Sequence, residues 1–413
     1  MTDTKLNSLL QRLELKEFKL NSLLEITKAI NENFSVDKLL KIYEYILREQ
    51  LGISKLALFS NNQEDWKTLL RYGAKGLAKK INVEQDLLHI KEITVIESSS
   101  NPALNSFDIA IPVMHKNIPL AFLLLGNLNK DDIALHPSMK HMPFIQTLTN
   151  IIMVAIENKR LANESIEQEI TNKELEVAAQ MQAMLLPSDL PSNNRIEVGA
   201  LYESLQLIGG DYYDFIKLNN EEFVFCIADV SGKGIPAALL MSNFQANLRA
   251  NIKYNHHHLS MEDVIVELNK NVNDAAQGEK FITFFFAYYN CNTHTLKYVN
   301  AGHNYPILFN GNKIEHLNKG CIGLGMFDTI PNIEVGEVKI KPNSILICFT
   351  DGLVELENSE GEQFETDRLV KIITENNHLK INDLNKLIFL ELDRFKGEQK
   401  YLDDTAILSC RFF

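Results

Sequence analysis

Apolar residues recur along this chain with two different periods, and the period changes with position. Within residues 16–50, Leu20, Leu23, Leu24, Ile26 and Ile30 recur at helical spacing, which predicts an amphipathic helix. Ser35 stands where a side-chain oxygen caps a second helix over 39–51. Short, nearly continuous apolar runs then predict strands at 55–60, 68–73, 108–114 and 120–125, and another helix begins near Ile145. From Ile151 to Leu186 there is no Gly or Pro, so one long helix is expected, stopped by Pro187 and Pro191. Heptads counted from Ile152 align Ile156, Lys159, Asn163, Ile166, Ile170, Lys173, Val177, Gln180 and Met184. About half of that seam is apolar, which predicts a parallel coiled coil and a homodimer, with Asn163 fixing register. A helix packed on its own domain is the alternative.

Beyond residue 187 the pattern turns to strands at 223–228, 281–289, 295–300, 306–309, 344–349 and 405–413, with helices at 236–250 and 261–276. Three regions follow: 1–150, a small α/β unit; 151–186, a helical linker; and 187–413, a larger domain. The fold class is α+β. A length of 413 residues fits more than one domain, and 45% hydrophobic residues suffice for packed cores.

The formal charge of −13 argues against nucleic acid and against an anionic membrane surface as partners. No apolar stretch approaches the ~20 residues that span a bilayer. The N-terminus alternates charge with Leu and has no signal-peptide core. Five cysteines without framework spacing suit a reducing cytoplasm, and Cys226, Cys348 and Cys410 fall inside strand-like runs as small hydrophobes. A cytoplasmic location is expected.

Four aspartates carry the chemistry. Asp211 ends Gly209-Gly210-Asp211, Asp229 follows the run 223–228, Asp351 follows 344–349, and Asp403 precedes 405–413. Each carboxylate sits at the edge of a run that reads as a buried strand. Strand ends brought together in one core converge acidic side chains, and carboxylate oxygens with water are what Mg²⁺ and Mn²⁺ prefer. Singly, each segment reads as an ordinary turn, cap or loop. GGDYYDF also looks like the GGDEF signature of diguanylate cyclases, but its fourth position is Tyr and the other candidate ligands all lie downstream.

Taken together, LIGGDYYDFIKL (207–218), IADVSGKGIPAALLMS (227–242), VNAGHNYP (299–306), CFTDGLVE (348–355) and LDDTAIL (402–408) resemble the bacterial SpoIIE/RsbU type of PPM (type 2C) protein phosphatase. The resemblance spans about 175–413 and includes AAQMQAMLLP, similar to the Q-x-x-LLP helix those enzymes carry before the catalytic domain. It implies a β-sandwich flanked by helices, with two ions, Mn²⁺ or Mg²⁺, at the sandwich edge. It further implies that Asp211 bridges both metals. Asp229 and the carbonyl of Val230 then hold one, and Asp351 and Asp403 hold the other. Asp404 is expected behind these ligands, and Asp214 as a solvated or structural carboxylate.

The implied reaction is in-line attack of a metal-bridged hydroxide on a phosphoserine or phosphothreonine. The implied partner is a phosphorylated STAS-domain regulator of the anti-anti-sigma type. The alternative is a catalytically inactive, phosphatase-like scaffold. His303 in AGHNYP is read as a packing or capping residue before a general acid, and His256-His257-His258 as a wet loop. What grips the substrate phosphate besides metal stays open. Residues 1–150 resemble a GAF domain, through the opening SLLEITKAINENFSVDKLLKIYEYILREQLGISKLALF, the pair DIAIPVMHKNIPLAFLLLGN and the exit helix FIQTLTNIIMVAIENKRL. The short, charged stretch 75–105 departs from that pattern, so a ligand pocket and a plain spacer both stay open.

Overall fold

The computed structural model describes residues 2–61, 65–74, 76–115, 118–127, 141–205, 207–255 and 260–413. The triplet His256–His258 lies outside them. The chain divides into two compact units, Met1–Glu169 and Ile170–Phe413, and the division falls inside one helix.

In the first unit, helices α1 (Thr2–Asn31) and α2 (Val36–Tyr45) precede strands β1 (Lys55–Asn61) and β2 (Trp66–Tyr72). The short helix α3 (Val83–Asp86), strands β3 (Thr94–Val95), β4 (Ile109–His115) and β5 (Ile118–Gly126), and helix α4 (Met142–Ala183) follow. Ser35 caps α2 as the sequence suggests, accepting from the Lys38 N–H. The antiparallel sheet runs β2-β1-β5-β4-β3. Side chains alternate across it. Leu56, Leu58, Leu123 and Leu125 face a core shared with α2 and the start of α4, while Ala57, Phe59, Phe122 and Leu124 face the other side. Burial on both faces explains why these strands read as continuous apolar runs. The stretch 75–105, charged as it is, supplies Ala78, Ile81, Val83, Leu87, Ile90, Ala103 and Leu104 to fill that second face. Helix α1 begins well before residue 16, because nothing in its charged, Leu-rich start breaks a helix.

The second unit is a four-layer sandwich. Its strands are β6 (Ile196–Glu203), β7 (Tyr212–Lys217), β8 (Glu222–Val230), β9 (Ile282–Asn290), β10 (Thr295–Ala301), β11 (Ile307–Phe309), β12 (Ile314–His316), β13 (Gly320–Cys321), β14 (Gly336–Lys339), β15 (Ser344–Phe349) and β16 (Thr405–Phe412). One sheet runs β13-β10-β9-β8-β7, with β14 also pairing β10; the other runs β12-β11-β15-β16-β6. Helices α5 (Ile235–Asn255) and α6 (Met261–Ala276) cover the first sheet. Helices α8 (Glu365–Asn376) and α9 (Ile381–Lys396) cover the second, and α7 (Asp351–Val354) is a single turn after β15. The period of two sorts every central strand. Phe223, Phe225, Ile227, Leu346, Cys348, Leu408 and Cys410 meet between the sheets, while Val224, Cys226 and Ala228 face α5 and α6. The buried cysteines act as small hydrophobes, and all five are free thiols. Among the described residues, no helix is long and apolar enough to cross a membrane.

Candidate active site

Register brings the aspartates together in pairs, one pair per sheet. In the antiparallel β7–β8 pair, Tyr212 lies opposite Ala228. Asp211, one residue before β7, therefore faces Asp229, one residue further along β8. In the β15–β16 pair, Phe349 lies opposite Ile407, and the Thr350 N–H bonds to the Ala406 carbonyl. Asp351 thus stands at the same strand end as Asp403 and Asp404. The cross-sheet tie is Thr350. Its hydroxyl donates to Asp211 Oδ2 at 2.7 Å and accepts the Ala406 N–H at 2.9 Å.

The carboxylates feel one another. Asp211 is buried and its pKa is held well above the usual carboxylate range, first by burial, then by Asp229. Asp229 is pushed up to about 7, first by burial, then by Asp351, Asp403 and Asp404. Asp351 and Asp404 are raised as well, each by burial first and then by Asp403. Like charges in a poorly solvated place disfavour ionisation until a cation balances them. Val230 is buried at the end of β8, and its carbonyl oxygen lies 3.1 Å from where a Cβ on Gly210 would stand.

Asp404 is fully engaged in holding the loop. Its Oδ2 accepts the Gly210 N–H at 2.7 Å and its Oδ1 the Leu205 N–H at 2.9 Å. It fixes the backbone beside Asp211. Gly209 has to be glycine there, since a Cβ would sit 1.9 Å from the Tyr202 hydroxyl and 2.4 Å from Asp404 Oδ2. From the other side, the Gln182 amide clamps Gly209, donating to its carbonyl at 2.7 Å and accepting its N–H at 3.2 Å. Gln182 opens the Q-x-x-LLP segment, so that lead-in is bonded directly to the loop that carries Asp211.

Asp214 and His303 each take the structural role among those expected of them. Asp214 is not solvated: it is wholly buried on β7 and grips Arg249 two-pronged, at 2.7 and 2.9 Å. It also accepts the Tyr212 hydroxyl at 2.5 Å and the Phe215 N–H at 2.8 Å, so it is a structural anchor between β7 and α5. His303 is buried, its Nδ1 bonded to the Thr283 hydroxyl at 2.9 Å. Burial lowers its pKa to about 4, with the Phe349 backbone opposing the shift. Burial thus favours the neutral ring over the imidazolium at pH 7, which fits packing better than general-acid work. Three residues had no signal in sequence: Thr350, the Lys233 that pairs with Asp403 at 2.9 Å, and Tyr202. The buried Tyr202 hydroxyl has no hydrogen-bond partner, and its pKa is raised by burial first and then by Asp404 and Asp211.

These residues fit divalent ions. The donors are oxygens only, crowded enough to suppress each other's ionisation, and held by a rigid backbone cradle. Among the described residues, no three His, Cys, Asp or Glu side chains are already closed into a ready-made ligand set. Mg²⁺-like ions keep several waters between themselves and protein, so they need few direct side-chain ligands.

Known proteins share this domain's sequence and fold. The family described as Stage II sporulation protein E matches residues 219–413. The phosphoserine phosphatase RsbU of Bacillus subtilis is 30% identical over 245 residues, 59% of this chain and 71% of RsbU. Protein IcfG of Synechocystis is 28% identical over 276 residues, 60% of this chain and 43% of IcfG. The chain spans less than half of IcfG. In solved structures, the SiaA-PP2C domain of Pseudomonas aeruginosa superposes with a TM-score of 0.52 at 18% identity, covering 60% of this chain and 99% of that domain.

Proposed function

This chain belongs to the SpoIIE/RsbU family of PPM phosphatases, and we propose that it is a metal-dependent serine/threonine phosphatase acting on a phosphorylated regulatory protein. The observation that carries the reading is the convergence of Asp211 and Asp229 from one sheet with Asp351, Asp403 and Asp404 from the other, close enough that Asp211, Asp229 and Asp351 are raised by burial and by neighbouring carboxylates. Asp211, Asp229, the Val230 carbonyl, Asp351 and Asp403 are the groups that would hold two ions, Mn²⁺ or Mg²⁺. Bound there, such ions supply an activated water and neutralise phosphoryl charge. The chain's own part is placement. Thr350 orients Asp211 across the sandwich, Asp404 fixes the Gly210 amide, and Gln182 holds Gly209. With the carboxylates committed to holding ions, water would be the nucleophile, and phosphate would leave in one displacement without a phosphoenzyme.

The proposed substrate is a phosphoserine or phosphothreonine on a STAS-domain regulator of the kind used in partner-switching control of sigma factors, in the cytoplasm. RsbU, a phosphoserine phosphatase by name, supports that class. Residues 1–150 serve as a GAF-like regulatory domain. Helix α4 is one unbroken helix from Met142 to Ala183, ending in the Gln182 clamp on the active-site loop. A change in its packing reaches the metal ligands without new chemistry, and a few kcal/mol of differential binding suffices to shift the active population. The test is phosphate release from a purified phospho-STAS protein of the same organism, by the full chain and by a chain lacking residues 1–150. Both act on it, at different rates. Turnover of a small ester with no action on any STAS phosphoprotein would reject the substrate and keep the phosphatase; no turnover at all would leave the inactive scaffold.

A further inference from the structure

Five carboxylates crowd one edge of the sandwich, yet among the described residues only one cationic side chain pairs with any of them. Lys233 Nζ lies 2.9 Å from Asp403 Oδ2 and donates to the Leu402 carbonyl at 2.6 Å. The other oxygen of Asp403 accepts the Asp404 N–H at 2.8 Å. Both oxygens of this candidate ligand therefore already accept a hydrogen bond. The backbone aims the lysine there. Gly232 and Gly234 on either side have φ of +87° and +72°, a left-handed conformation that side chains rarely adopt, and it turns the loop after β8. The ammonium itself stays in reach of water, with 43% of its side chain exposed, so it leaves at low cost.

The geometry points to Lys233 as a built-in competing cation, which pairs with Asp403 and opposes the binding of a divalent ion there. The inference rests on the reading of Asp403 as a metal ligand. It follows from charge: a divalent ion bound to Asp403 and an ammonium 2.9 Å from the same carboxylate repel each other. Lys233 then has two opposed effects. It compensates the carboxylate cluster, and it weakens ion binding by what its pairing with Asp403 is worth. Lys280, the other lysine at this loop, donates to the Ser231 carbonyl at 2.9 Å and pairs with none of the five aspartates, which makes it the control for charge alone.

Mn²⁺ is titrated calorimetrically into the full chain after chelator treatment, for the wild type, Lys233→Gln, Lys233→Arg and Lys280→Gln. Each is also melted in EDTA and in Mn²⁺. Lys233→Gln is expected to bind Mn²⁺ about fivefold more tightly, the scale of a half-exposed ion pair. It melts lower than wild type in EDTA and gains more from Mn²⁺, because an ion bound only by the folded chain stabilises it. Lys233→Arg, which keeps the charge and the reach, gains nothing, and Lys280→Gln stays within about twofold of wild type. Unchanged or weaker Mn²⁺ binding by Lys233→Gln would overturn the inference, as would an equal gain in Lys280→Gln. A wild type that binds no Mn²⁺ would remove the metal site itself, and this inference with it.

Discussion

Asp211 and Asp214 sit three positions apart and do opposite work. Asp211 faces other carboxylates, whereas Asp214 faces Arg249 and a tyrosine hydroxyl. Asp211→Asn and Asp351→Asn should each cut turnover about a hundredfold or more, since each removes a charge that balances an ion. The same changes relieve repulsion, so both variants should melt no lower than wild type in EDTA. Asp214→Asn should do the reverse: it breaks a pair whose carboxylate is buried, at a cost on the order of 2 kcal/mol of stability, and leaves the Mn²⁺ requirement unchanged. Turnover and melting of the three variants side by side check this. Acidity should show in the same melts. Asp229 binds its proton more tightly folded, with a pKa of about 7 against an ordinary 3.8, so that contribution is present at low pH and lost as pH rises through about 7. In EDTA, stability should fall from about pH 4 to about pH 7, and Mn²⁺, which needs ionised ligands, should reverse the slope.

At the scale of elements, Gln182 is the link to test. Gln182→Ala removes both hydrogen bonds to Gly209 and should weaken Mn²⁺ binding about tenfold, the lower end of what outer partners of metal ligands contribute. Unaltered Mn²⁺ affinity would separate the lead-in helix from the site. Elements with a strong period were legible in the sequence: β1, β8, β9 and β15 begin and end within a residue or two of the apolar runs, and α6 coincides with its pattern. Strand β6 was not, because Glu197 interrupts its run. In the fold that glutamate is buried beside Arg411, directly opposite it on β16, a partner more than two hundred residues away. Strands β13 and β14 are too short to carry a period. The aspartates were legible because they end apolar runs. Thr350, Tyr202 and Lys233 were not, because each acquires its role from the opposite strand or loop.

For the whole molecule, the unpartnered apolar seams bear on assembly. Ile166, Ile170, Val177 and Met184 on α4 and the turn after it are each more than half exposed, as the heptad reading expects of a seam seen in a single chain. Leu6, Leu10, Leu13, Leu20 and Leu24 of α1 are exposed at compatible spacing. A homodimer would bury them; if it forms, light scattering should report twice the chain mass for the wild type and a single chain for the Ile166→Lys, Ile170→Lys variant. All of this serves one site, and the metal-dependent hydrolysis proposed there has a direct measurement. The purified chain is stripped with chelator, and phosphate release from an aryl phosphate ester is followed as Mn²⁺ and then Mg²⁺ are added back. Turnover should vanish in excess EDTA and return with Mn²⁺, and less strongly with Mg²⁺, as a site of hard oxygen donors requires. Full turnover in excess EDTA, or none at any Mn²⁺ concentration, would contradict it.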